Sequence, residues 1–554
     1  MDLGKIFKNN LYLILILAAS LAISWPLFLP GYFSHHDDLQ VMRVFEMRKC
    51  FEDLQIPCRW VPDMGYGNGY PLFNYYNPLP YYIGGFLSFI FGYVFAVKIL
   101  FLIAAFLGGI SMYFLAKEIF GKEAGFVAAI LYQFAPYRAL DLYVRGALAE
   151  SFAIAIAPFC FYFALKLIKK FDVRYMVGLS FSLASLLTSH NIMAIFFTPL
   201  LLIWIVLWVV WEKSKANLVL ILSLGLGMGL ASFFILPSYF EKDLVQIDNL
   251  TRLDLDFRAH FATINQLFLD RSWGYGASFL GPNDTISLQI GWPHWQIAFL
   301  SAGLALYSFK KKLSKLALLI FIIFATAVFM THVRSAFIWE QIGILRFAQF
   351  PWRFLSVVVF AASLLGGYLI SISFAKYRIY LISALLASVI LLNWSYFKPQ
   401  HFYPEVGDRE KLSGSEWEKQ QKAAILDYLP QGAVQPREAA PNGPILVSGK
   451  AEIGEFDNRS NKWKFNINVA DDSRIEVPVF DFPNWRVWAN NQLIAHDNKN
   501  FVGRITINLS KGDYLVEGRL ENTPIRTFGN IITLISISLL AIFTLYGKSR
   551  KIFR

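Results

Sequence analysis

Long apolar runs, separated by short basic loops or longer polar segments, follow one another along this chain, and few folds are compatible with that pattern. A crossing of the hydrocarbon core needs about 20 predominantly apolar residues. Candidate spans lie at 11–30, 79–96, 98–116, 121–137, 147–167, 174–190, 192–210, 217–238, 290–309, 314–331, 353–373, 377–396 and 527–546. With 56% of 554 residues hydrophobic and 16% charged, a soluble protein is excluded. Helices are the expected spanning element, since each satisfies its own backbone. The expected fold is mainly α, a polytopic membrane protein of about 12 to 13 transmembrane helices.

The net charge is +12, but nucleic acid is a poor explanation for it. The cations lie mostly in short loops and tails: Lys5 and Lys8, Lys166 to Arg174, Lys213 and Lys215, Lys310 to Lys315, Lys376 to Arg378, and Lys548 to Arg554. This positive-inside bias puts those loops and both termini in the cytoplasm, which demands an even number of crossings. The weakest span is 79–96, which opens Pro78-Leu-Pro80 and contains Gly84, Gly85 and Gly92. It is expected to be broken or re-entrant, unless 98–116 and 121–137 are misdivided. The run 11–30 is too long for a signal-peptide core and lacks a clear cleavage site, so it reads as an uncleaved first span.

On this topology 31–78, 138–147, Ser189-His-Asn191, 239–289, 332–352 and 397–526 face outside, and every interesting polar cluster falls among them. Residues 397–526 are polar and proline-bearing, and after about 445 apolar residues alternate as in strands, for example Trp463-Lys-Phe-Asn-Ile-Asn-Val469. Asn490-Asn491 and Lys511-Gly512 supply hairpin turns. Three parts are expected: a membrane domain over 1–396 with outside loops 31–78 and 239–289, an outside linker and small β-sandwich over 397–526, and a final helix with a basic tail over 527–554. Cys50 and Cys58 share an outside loop, where a disulfide is permitted but not required. Cys160 lies within a span, and no metal-type Cys/His spacing occurs.

Five clusters carry candidate chemistry. Ser34-His-His-Asp37 fits a capping box opening a helix to about Leu54, with Val44, Met47, Phe51 and Leu54 on one face in the membrane interface. A cap would explain Asp37 but not Asp38 or the two histidines. Asp37 is the stronger candidate base, with Asp38, His36 or both helping to hold a divalent cation such as Mg or Mn. The run Trp60 to Asn77 interleaves aromatics with Asn and Gly, suiting a sugar or lipid headgroup, with Arg43, Tyr75 and Tyr76 nearby, or equally an interfacial belt. Its Gly65, Gly67 and Gly69 lack the strand and helix of a nucleotide loop. Arg138, Asp141, Arg145 and Glu150 flank a helix start. Glu150 there is either a first-turn acid or a second carboxylate facing Asp37, with Arg145 on a phosphate. His190 is a helix cap or a member of the same face. Arg346 and Arg353 flank Pro351 and suit a phosphate or a cation–π contact with Trp352, and His332 and Arg334 could join that wall. The loop 239–289, with Arg252, Arg258, His260, Arg271, Trp273 and Tyr275 and then Trp292 and His294, is long enough to close over a cleft.

The acidic first loop, the Pro78-Leu-Pro-Tyr-Tyr82 helix start, the outside acid and arginine clusters and the terminal outside domain together resemble the GT-C superfamily of membrane glycosyltransferases. More closely, His36-Asp37-Asp38, Gly67-Asn-Gly-Tyr-Pro-Leu-Phe73, Arg145-Gly-Ala-Leu-Ala-Glu150 and Ser189-His190 resemble the prokaryotic "6-pyruvoyl-tetrahydropterin synthase-related" membrane family, itself similar to YfhO-type proteins. That resemblance covers about residues 1–400. Phe482-Pro-Asn-Trp485, Trp488 and Asn490-Asn491 are similar to the YfhO-type end domain. Pterin chemistry would need a histidine zinc site, which this sequence lacks. The resemblance implies transfer of a sugar from a polyprenyl-phosphate lipid to a glycan, lipid or protein acceptor outside the cytoplasmic membrane of a prokaryote. It implies that Asp37 acts as base or metal ligand and that basic residues hold the lipid phosphate; with the clusters above, Asp37, Asp38 and Glu150 are the expected catalytic groups, and Asp37 and Asp38 the candidate metal ligands. His36, Arg43, Tyr75, Tyr76, Asp141, Arg145, His190, Arg346 and Arg353 would bind substrate. Membrane lipids are expected neighbours. A second-loop D-x-D is absent. The alternatives are a transporter or flippase of lipid-linked saccharide and a non-catalytic envelope assembly protein.

Overall fold

Each of the thirteen apolar runs carries helix in the computed structural model, which describes residues 3–281 and 284–546. The basic tail from Lys548 to Arg554 lies outside the described residues. Among the described residues, seven helices are long and apolar enough to cross a membrane. The pair Asn217–Leu230 and Ser232–Phe240, bent by 69°, makes an eighth if it is one span. The chain is a multi-pass membrane protein, mainly α, and among the described residues fewer helices reach full crossing length than the apolar runs suggest. Length is the reason. Leu79–Phe91 has 13 residues and Lys122–Gln133 has 12, which at 1.5 Å per residue rise only about 20 Å, short of a core of about 30 Å.

The break in the weak span falls at Gly92, not near residue 97. Gly92 has φ +77°, and a Cβ there would lie 2.5 Å from Asp408 Oδ2. The Asp408 carboxylate in turn accepts from the backbone N–H groups of Tyr93 (2.9 Å) and Val94 (2.7 Å). A side chain from beyond residue 400 therefore caps the long helix Tyr93–Phe120, offsetting its orphan donors and positive end.

Polar segments gather at one end of the bundle. Ser34 bonds His401, His36 bonds Tyr275, Asn77 bonds Asn191, Gln349 bonds Leu250 and Trp352 bonds Ser278. Basic segments meet acids elsewhere: Lys166 and Lys169 on Glu118, Lys312 on Glu212, and Arg378 on Glu123. Cys50 and Cys58 form a disulfide, and Cys160 is free and buried.

The capping box does not form. Ser34 Oγ bonds His401 O, and the helix starts six residues later, spanning Gln40–Glu52. Strand pairing wins locally: β1 (Tyr32–Phe33) pairs antiparallel with β2 (Phe402–Tyr403), holding the chain extended where the box would turn it. Val44 and Met47 are buried, but Leu54 lies beyond the helix at φ +57° and is exposed.

The C-terminal β-structure is one eight-stranded antiparallel sheet folded on itself. Its strands are β3 (Ile445–Ile453), β4 (Asp457–Asn458), β5 (Lys462–Phe480), β6 (Trp485–Ala489), β7 (Gln492–Ile494), β8 (His496–Asp497), β9 (Arg504–Leu509) and β10 (Gly512–Leu520). The path runs β7-β6-β10-β5-β9-β8, with β3 and β4 also on β5. The 19-residue β5 serves both halves: residues 462–469 pair β10, while residues 473–480 pair β9. Period-2 burial is preserved along it, with Trp463, Phe465, Ile467, Val469, Ile475, Val477 and Val479 all inward. Asn490 and Asn491 have φ +49° and +65°, the two left-handed residues of a two-residue hairpin between β6 and β7.

This sheet is docked on the first polar loop, which overturns the headgroup reading of Trp60 to Tyr70. Trp60 is buried between the rings of Phe482 and Trp485, each 5.7 Å away. Arg504 Nε donates to Asn68 Oδ1 (2.6 Å), and Phe480 N–H donates to Asn68 O (2.8 Å). Burying an aromatic of this size removes about 200 Å² from water, worth up to ~5 kcal/mol. Gly69 lets the loop close: its φ is +78°, and a Cβ would lie 2.4 Å from Trp60 Nε1. Gly69→Ala is expected to destabilise the protein by about 1–3 kcal/mol or more, read as a lowered unfolding temperature in detergent. An unchanged midpoint would refute this docking.

Candidate functional site

The pairing of β1 with β2 delivers the next residues onto the segment before helix Leu148–Lys169. His36 N–H donates to Val144 O and Asp37 N–H to Arg145 O, both at 2.9 Å. Contact is this close because Gly146 has no Cβ; one would lie 2.2 Å from His35 Nδ1.

Asp37 Oδ2 accepts from Arg43 Nη1 (2.7 Å) and Gln40 Nε2 (3.0 Å). Gln40 is fixed by Tyr81 Oη (2.7 Å) and by Gly146 O (2.8 Å). The Arg43 guanidinium also lies over the Tyr76 ring, 4.3 Å from its centre. Helical spacing explains the set, since residues 40 and 43 lie on one face. Arg43 is buried, but the Asp37 side chain keeps 34% exposure. One carboxylate oxygen is thus committed, while the other makes no hydrogen bond among the described residues. Asp427 faces this pair: burial, opposed by Arg43 and reinforced by Asp37, pushes its carboxyl up to about 7.

Asp38 turns the other way. Lys411 Nζ donates to its Oδ2 at 2.6 Å. His35 Nε2 sits 3.8 Å from Oδ1 and bonds Tyr32 Oη (3.0 Å). Burial lowers the His35 pKa below that of an ordinary imidazole.

Beyond the 144–146 backbone lies a buried cluster centred on Glu150. Its Oε1 accepts from Tyr137 Oη (2.5 Å), and its Oε2 meets Arg145 Nη1 (2.9 Å) and Arg353 Nε (3.3 Å). Arg145 also pairs with Asp141 (2.5 Å) and stacks over Trp352 (4.6 Å). Burial, reinforced by Glu150 and opposed by Arg145, pushes the Asp141 carboxyl up to about 8. His190 is both cap and neighbour: Nδ1 accepts from Met193 N–H (3.3 Å), which leaves the proton of the neutral ring on Nε2, 4.0 Å from Glu150. Burial pulls this imidazole down to about 3. Arg145 Nε and Nη2 and Arg353 Nη2 make no hydrogen bond among the described residues, so both arginines retain donors for a ligand.

Asp37, Arg43, Tyr76, Asp141, Arg145, Glu150, His190 and Arg353 therefore fall into two adjoining clusters. Glu150 does not face Asp37 as a bare carboxylate; it is neutralised by two arginines. Three other candidates go elsewhere. Tyr75 is buried, donating to Glu241 O at 2.7 Å. Arg346 is exposed, its side chain donating to Glu340 O at 3.4 Å. His36 Nε2 meets Tyr275 O at 2.8 Å and ties the loop 239–289 to this end. His332 does not reach the arginines; its Nδ1 accepts from Arg334 N–H, a local cap. Arg138 is spent on the carbonyls of Ala104 and Ser151. Lys411 and Asp427 were not legible as site residues, because only tertiary folding brings residues 411–427 beside residue 37.

The donor set does not fit a divalent cation. Asp37 is held by Arg43 and Asp38 by Lys411, and no group of three or more His, Cys, Asp or Glu side chains converges among the described residues. Two carboxylates already neutralised by cations are poor hard-metal ligands.

A family model described as "6-pyruvoyl-tetrahydropterin synthase related domain; membrane protein" matches residues 73–399, more than half of the chain. No curated protein sequence matches. Among solved structures, the arabinofuranosyltransferase AftD from Mycobacteria aligns at 15% identity and TM-score 0.46, over 72% of this chain and 28% of its own length. The Archaeoglobus fulgidus oligosaccharyltransferase in its apo form aligns at 14% identity and TM-score 0.44, over 80% and 62%. ArnT from Cupriavidus metallidurans bound to undecaprenyl phosphate aligns at 12% identity and TM-score 0.32, over 65% and 78%. This chain thus spans less than two thirds of the length of the first two.

Asp427 makes the site pH-sensitive. Its folded carboxyl titrates near 7 against an ordinary 3.8, so its contribution is fully present below about 4 and is lost as pH rises through 7. The unfolding temperature of Asp427→Asn relative to wild type is expected to increase by a few degrees between pH 5 and pH 8. Parallel curves for the two proteins would refute the assignment.

Proposed function

The chain belongs to the 6-pyruvoyl-tetrahydropterin synthase related membrane family, and from that premise we propose that it is a membrane glycosyltransferase using a polyprenyl-phosphate sugar, with an acceptor outside the cytoplasmic membrane of a prokaryote. The observation that carries this reading is the juxtaposition of a half-committed carboxylate, Asp37, with two buried arginines that keep free donors. They are joined through the Asp37 N–H to Arg145 O bond. Pterin chemistry plays no part in it.

Asp37 is the base. An acceptor hydroxyl bonds its open oxygen and attacks the anomeric carbon of the donor. The new C–O bond forms as the bond from that carbon to the phosphate oxygen breaks, and the electron pair leaves with the phosphate. The hydroxyl proton passes to Asp37 and on to solvent. This single displacement inverts the anomeric centre. Negative charge grows on the departing phosphate, and the free N–H groups of Arg145 and Arg353 are the donors that would stabilise it. Glu150 is a positioning residue: with Tyr137 it aligns both guanidinium groups. Gln40 and Arg43 hold Asp37 with one oxygen outward.

The test is turnover of a radiolabelled panel of polyprenyl-phosphate sugars by the purified protein in lipid. Asp37→Asn is expected to lower transfer by about 100-fold or more while donor binding survives. Glu150→Gln is expected to weaken both binding and rate by releasing the arginines. Donor binding without turnover in wild type, unchanged in Asp37→Asn, would overturn the catalytic reading.

A further inference from the structure

A second group of buried cations lies apart from the Asp37 site, where the first polar loop, the sheet and the start of the last helix meet. Arg526, in the first turn of helix Pro524–Tyr546, is 1% exposed. Its Nε donates to Glu241 Oε2 at 2.8 Å, but Nη1 and Nη2 have no partner among the described residues. Arg59 is 5% exposed; its Nη1 bonds Asn74, its Nη2 bonds Phe233 O and Asn530, and its Nε is unpartnered. Glu241 is the carboxylate bonded to the pair's Arg526, and it is saturated by Arg526, Asn74 and Thr523 Oγ1. Glu521 is paired instead with Arg486 at 3.0 Å. Burial, aggravated by the neighbouring Arg526 charge, pulls the Arg59 guanidinium down to about 10.

Both arginines line a partly enclosed cavity of about 110 Å³, together with Gln55, Asn461, Asn522 and the Arg486-paired Glu521. That is roughly the room of three or four waters. Asn461 Oδ1 is also buried without a partner; with its amide turned it would present donors to the same space. Glu521 is half-exposed and offset by Arg486, so the two buried guanidinium groups share Glu241 as their one buried carboxylate, which leaves an uncompensated positive charge. Water can hydrogen-bond the orphaned N–H groups but cannot offset that charge; an anion does both. The positive end of a 23-residue helix adds to the attraction. Arginine forks match a tetrahedral oxyanion in bidentate fashion. Leu54 and Ile56, 81% and 68% exposed, form an apolar tip on the cavity rim.

We propose that this cavity is a binding site for a phosphate group, carried by a membrane lipid headgroup or present as free phosphate. It is distinct from the transfer site and does not rest on that reading.

The test uses the full chain, stripped of native lipid in a phosphate-free maltoside detergent. Unfolding temperature is followed against inorganic phosphate, against phosphatidic acid in the same micelles, and against chloride at equal ionic strength. Phosphate or phosphatidic acid is expected to stabilise wild type, with apparent affinity falling about tenfold or more in Arg526→Gln. Stabilisation by phosphatidic acid alone would identify a lipid headgroup; an equal response to inorganic phosphate would identify a free-phosphate site. Because Arg526→Gln also breaks a buried pair, Asn461→Asp gives an independent readout. It supplies the missing negative charge, so it should raise stability without phosphate and flatten the response to it. No response of wild type beyond that to chloride, or an undiminished response in Asn461→Asp, would overturn the proposal. Asp37→Asn should leave the phosphate response intact, so failure here is separable from failure of the transferase reading.

Discussion

The buried Glu150 carboxylate is the constraint around which this end of the molecule is built. A charge in that position is tolerated only if paired and hydrogen-bonded. Its partners come from four places in the chain: Tyr137, Arg145, His190 and Arg353. Loss of either arginine would strand a buried charge, at a cost of about 3–5 kcal/mol. The pairing therefore fixes where the helices containing or following these residues begin, and with them the 144–146 backbone on which Asp37 is hung.

The sheet-bearing segment is part of the same construction. Asp408 caps the helix Tyr93–Phe120, Lys411 neutralises Asp38, and Asp427 faces the Asp37–Arg43 pair. The sheet core itself continues into the first polar loop through Trp60, Tyr66 and Tyr75. Any molecule approaching Asp37 would therefore meet groups from both the first loop and residues 408–428.

Much of this was legible in the sequence, for identifiable reasons. Apolar run length is read directly, so all thirteen helical regions were located; which of them are full crossings depends on glycine breaks such as Gly92, set by a distant cap. Alternation along β5 and the Asn490-Asn491 turn are local signals and were read correctly. Cluster membership was read partly: Asp37, Arg43, Arg145, Glu150 and Arg353 do converge, because helix starts at one membrane face concentrate polar groups. What failed was pairing. The expected capping box lost to a two-residue strand pairing across the chain, the glycine loop proved to be a docking surface, and Asp38 proved to be paired with Lys411. A single sequence carries no local mark of a partner hundreds of residues away.

The Lys411–Asp38 pair spans 373 residues. At a synthesis rate of about 5–20 residues per second, Asp38 emerges roughly 20–75 s before its lysine exists. During that interval the first polar loop has neither its counter-charge nor the β2 strand that later holds it. The mouth of the bundle is thus completed last, when the chain beyond residue 400 folds back, and nascent chains halted before that point carry an open, acidic entrance.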